Sequence, residues 1–60
     1  MDANLFAADL VVLFYEDQTV RSVQTYAELG MLTNDAGIVV TMKDGSEFQI
    51  TIVQSRQARG

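Results

Sequence analysis

Sixty residues make a single small domain, and a chain this short buries only ~60% of the surface that its unfolded form exposes. It contains no cysteine and no histidine, which excludes disulfides, Cys/His zinc sites, a thiol nucleophile and the commonest general base. A net charge of −4 makes it a poor binder of phosphate backbones.

A hydrophobic content of 48% favours a packed core over disorder. The charge is uneven. Asp2, Asp9, Glu16, Asp17, Glu28 and Asp35 face only Arg21 in the first 35 residues, while Lys43, Arg56 and Arg59 outnumber Asp44 and Glu47 in the rest. No basic region precedes Leu5, and no apolar run approaches the ~18 residues of a membrane helix. With the lack of cysteine, these features predict a cytoplasmic protein with no membrane partner.

Residues 1–8 read as a flexible lead-in, in which Asp2 can cap a single helical turn through Ala8. Asp9 to Tyr15 reads as a strand because Leu10 to Tyr15 is β-branched and aromatic. It does not alternate. Leu10, Val12 and Phe14 would face one way, and Val11, Leu13 and Tyr15 the other. A strand apolar on both faces is normally covered on both, which a domain this small cannot easily do alone. Val11, Leu13 and Tyr15 are therefore the candidate protein-binding residues.

Two readings fit the next segment. In the preferred one, a turn at Glu16-Asp17-Gln18 opens a second strand that ends near Gln24 and pairs with residues 10–15. Thr25-Tyr26-Ala27-Glu28 then forms a capping box that starts a short helix to about Leu32. In the runner-up, one helix runs from Gln18 to Leu29, with Asp17 as its N-cap and Gly30 as its stop. Thr19, Val20, Val23 and Thr25 favour strand. Thr33 to Gly37 is a loop.

Gly37 to Gln54 reads as a β-hairpin turning at Asp44-Gly45. A Lys43-Asp44-Gly45 loop, with Gly45 left-handed, puts Val40 opposite Phe48 and Ile38 opposite Ile50. That register keeps the apolar residues on one face. Residues 55–60 form a polar, flexible tail.

Little in the chain points to catalysis or to a cofactor. Ser22, Ser46 and Ser55 have no histidine to activate them, and Lys43 sits at a hairpin tip without a desolvated pocket. Glu16, Asp17, Asp44 and Glu47 read as solvated turn residues before they read as a metal or acid–base cluster. Phe14, Tyr15, Tyr26 and Phe48 lack the interleaved basic residues of a nucleic-acid stacking surface.

The expected fold is α+β, a small antiparallel sheet with one helix, in the order ββαββ or, as runner-up, βαββ. The expected function is binding another protein without catalysis or cofactor. One form is a small acidic inhibitor that occupies a site on a nucleic-acid-handling protein, in the manner of phage-encoded inhibitors such as anti-CRISPR proteins. The alternative is a homodimeric structural or regulatory subunit of a larger assembly.

Overall fold

The computed structural model describes residues 1–58. It is an α+β fold with one helix and a three-stranded antiparallel sheet. The elements are α1 (Ala3–Tyr15), β1 (Val20–Thr25), β2 (Ala36–Met42) and β3 (Glu47–Ile52), and the strands lie in the order β1-β2-β3. The helix comes first, so neither ββαββ nor βαββ describes the chain.

The strand expected over residues 9–15 is the second half of α1, and the expected lead-in is its first half. Asp2 starts the helix. Its carboxylate accepts the Leu5 N–H at 2.9 Å, and its carbonyl accepts the Phe6 N–H. Ala3, Ala7, Leu10, Val11 and Phe14 then recur at helical spacing and turn toward the sheet. The Glu16 N–H closes the last turn on the Leu13 carbonyl. Asp17 redirects the chain into β1, accepting both the backbone N–H and the hydroxyl of Thr19.

Residues 20–25 are a strand, which rules out the long helix from Gln18 to Leu29. Their partner is β2 rather than residues 10–15. The expected Thr25–Glu28 capping box forms, since Thr25 N–H reaches the Glu28 carboxylate and Glu28 N–H reaches the Thr25 hydroxyl. No helix follows it. Gly30, at φ 65°, ends the segment after one turn, with its N–H on Ala27 and the Met31 N–H on Tyr26.

The β2–β3 hairpin has the expected register, with Val40 opposite Phe48 and Ile38 opposite Ile50. Gly45 is left-handed at φ 94°, and its N–H donates to the Met42 carbonyl. The core is Ala7 from the helix against Val23, Ile38 and Val40 from β1 and β2. The expected tail falls partly outside the described residues; within them, Gln54 donates its side-chain amide to the Met1 carbonyl at 3.0 Å.

Candidate functional site

The single helix lies over β1 and β2. β3 extends the sheet beyond it. Directly opposed residues of a ladder share a face, so Phe48, Ile50 and Ile52 point to the same side as Val40, Ile38 and Ala36. Ile38 is fully buried there, yet its partner Ile50 is 38% exposed and Phe48 is 55% exposed. A helix covers about two strands of sheet at ~4.8 Å spacing, so the third strand is left open at Phe48 and Ile50, while Ile52 at its end packs against the core.

The wall beside this open strand is one flank of α1. Phe6 lines a depression of about 220 Å³ together with Met1, Ile52 and Val53. Leu13 follows Phe6 by seven residues, two helical turns, and so lies on the same flank toward the Phe48 end. Phe6 is 45% exposed and Leu13 63% exposed. Helix flank and strand floor form an open, L-shaped apolar surface.

The three residues expected to form one binding face do not share one. Positions two apart on a helix differ by about 200°. Val11 packs against the core, while Leu13 and Tyr15 are exposed on opposite sides of the helix. Only Leu13 shares the flank of α1 that carries Phe6. Of the trio expected to face the core, Leu10 and Phe14 pack on it, and Val12 is exposed. The expected hairpin register puts Phe48 and Ile50 on one apolar face with Val40 and Ile38, yet only the latter two are buried. The exposure of Phe48 and Ile50 follows from where the helix stops, which no local pattern encodes.

The other face of the sheet is different. Tyr26, buried, crosses Gly37 and meets the Thr51 hydroxyl at 2.9 Å, so one aromatic side chain ties the end of β1 to β3. Gln24 and Gln49 flank Val39 there, and Thr41 and Glu47 continue the face as polar residues.

Two of the four turn carboxylates, Asp17 and Asp44, are each held by a neighbouring residue. Thr19, through its hydroxyl and then its N–H, holds Asp17 below the ordinary carboxylate range. Ser46, through its N–H and then its hydroxyl, does the same for Asp44. Among the described residues no group of three or more acidic side chains converges as metal ligands would. No helix among them is long and apolar enough to cross a membrane.

The fold and the surface define a class: a small helix-first α+β domain with one uncovered edge strand. Comparison with protein-family models, with curated protein sequences and with solved structures finds no match to the chain.

Proposed function

We propose that this protein acts by binding another protein, without catalysis, through the apolar surface between α1 and β3. The observation that carries the reading is the exposure of Phe48 and Ile50 on the face whose other strands are buried. Apolar surface left open beside a core marks an interaction site. Each side chain fully covered there contributes ~1.5–3 kcal/mol to association. The site offers shape and apolar area and no reactive group, which supports binding over catalysis.

A second reading, occupation of a basic site on a nucleic-acid-handling protein, has one observation in its favour. Asp2, Asp9 and Glu16 recur every seven residues along the solvent side of α1. Such a stripe suits a basic partner, and capture through it would weaken steeply with salt.

The test uses the Leu13→Asp/Phe48→Asp double variant. Both side chains are exposed, so circular dichroism should show the parent fold. Association, measured by light scattering and by capture from cells of the source, should fall at least tenfold. A double variant that associates as the parent does would end this reading.

A further inference from the structure

The two edges of the sheet are built differently. β1 carries Arg21 and a register shift between Val20 and Ser22. A charge and a bulge are standard means of blocking edge-to-edge pairing. β3 has no bulge, and its residues after the first are uncharged. It pairs with β2 without interruption, contains no proline or basic residue, and has one charge, Glu47, at its first position. An undefended, alternating, apolar edge is a template for another strand.

The direction of its free backbone groups follows from the ladder. Met42 N–H donates to the Ser46 carbonyl at 2.7 Å, one step beyond the Thr41–Glu47 pair. Bonded and non-bonded pairs alternate along an antiparallel ladder. Val40/Phe48, Ile38/Ile50 and Ala36/Ile52 are therefore the bonded pairs. The N–H and C=O groups of Glu47, Gln49 and Thr51 point to the open edge.

We infer that this edge pairs with β3 of a second copy, antiparallel about a twofold axis at Ile50, making one continuous six-stranded sheet. The inference rests on the reading of the α1–β3 surface as an interface and supplies its occupant. The strand is self-complementary in this register. Ile50 meets the partner's Ile50, Phe48 meets the partner's Ile52, and Gln49 bonds the partner's Thr51. Phe48, Ile50 and Ile52 of both copies stay on the helix face, as a sheet with one buried face requires. No like charges meet, because Glu47 falls opposite the partner's Val53. The outward amides and carbonyls of Gln49 and Thr51 become bonded. The flanks carrying Phe6 and Leu13 then wall both sides of a shared apolar floor.

Cysteine cross-linking tests the register, since the native chain has no thiol of its own. Under this pairing the Ile50 residues form a non-bonded pair with Cα atoms about 4.5 Å apart, within disulfide range. Ile50→Cys should form a covalent dimer on mild oxidation. Phe48→Cys should not, because the two positions would be about 13 Å apart. Preferential cross-linking of Gln49→Cys over Ile50→Cys would overturn the register. Gln49→Pro removes only an outward N–H, which an edge strand tolerates, and should raise the dimer dissociation constant at least tenfold with the monomer fold retained. A parent that is monomeric by light scattering, including one whose β3 edge is taken by a different protein, would overturn the pairing. The broader interface reading would survive that result as long as the Leu13→Asp/Phe48→Asp variant loses capture.

Discussion

The Tyr26 ring fills the space above Gly37 that any side chain at position 37 would need. A Cβ built there would overlap the ring carbons Cε2 and Cζ and come within 2.6 Å of the Ile50 carbonyl oxygen. Tyr26 N–H also donates to the Gly37 carbonyl at 2.9 Å, one step past the last β1–β2 pair, so the two residues are joined through the backbone as well as stacked. The glycine is what lets an aromatic ring cross β2 and reach Thr51 on β3.

Gly37→Ala should therefore cost ~1–3 kcal/mol, as overpacking in a tight site does. Tyr26→Phe, which loses only the hydrogen bond to Thr51, should cost ~1 kcal/mol. Urea midpoints for the two variants check both values. A neutral Gly37→Ala would show that the ring can move aside.

At Gly45 the constraint is the backbone alone. Its φ is 94°, and a Cβ there would meet nothing within 4 Å. Gly45→Val should cost ~1–3 kcal/mol through the strained conformation of a β-branched residue. Gly45→Asn should cost less, since asparagine tolerates positive φ better. Equal midpoints for the two variants would contradict a left-handed residue 45.

Acid should destabilise the protein through its two turn carboxylates. Both Asp17 and Asp44 have folded values lowered by hydrogen bonds. The unfolded chain, titrating near ~4, then binds more protons as pH falls. The stability these groups contribute is present above about pH 4 and is lost as pH drops through their folded values. The urea midpoint followed from about pH 6 to about pH 2 should fall less steeply for Asp17→Asn/Asp44→Asn than for the parent. An identical acid limb would assign acid sensitivity to other carboxylates.

The helix separates two neighbouring apolar residues by role. Val11→Asp puts a charge against the core and should cost ~3 kcal/mol or more. Leu13→Asp, at an exposed position, should change stability by about 0.5 kcal/mol or less. Thermal melts of the two variants measure the difference. A strand over 9–15 would place both side chains on one face and give them similar costs.

These contrasts show what the residues encode locally. Asp44-Gly45 is a short-range signal, and the hairpin around it forms in the expected register because turn chemistry and alternation agree. Leu10 to Tyr15 carries no such agreement. Six apolar residues in a row satisfy a two-residue period and a helical one equally well. The choice is made outside the run, by the Asp2 cap and by Ala7, which is buried against the sheet. Thr25–Glu28 formed its capping bonds but not its helix, since Gly30 stops the segment after one turn. Leu13 was legible as an exposed apolar residue, though on mistaken geometry. Phe48 and Ile50 were not legible as a surface, because their exposure depends on one helix spanning two strands of three.

The strand order also has a consequence for how the chain finds its fold. Every strand neighbour in space is a neighbour in sequence, with no crossover between β1, β2 and β3. Closing the β2–β3 hairpin orders a loop of only a few residues, while β1 must close the longer segment from Tyr26 to Asp35. The helix gains little until β1 and β2 give it a surface to dock on. The entropy cost thus rises in steps, from hairpin to sheet to docked helix. Both strand connections are local, so the sheet forms without a crossover closure. Departure of α1 would remove Ala7 from the core and uncover the floor of the sheet at Val23, Ile38 and Val40, extending the apolar surface already open at β3.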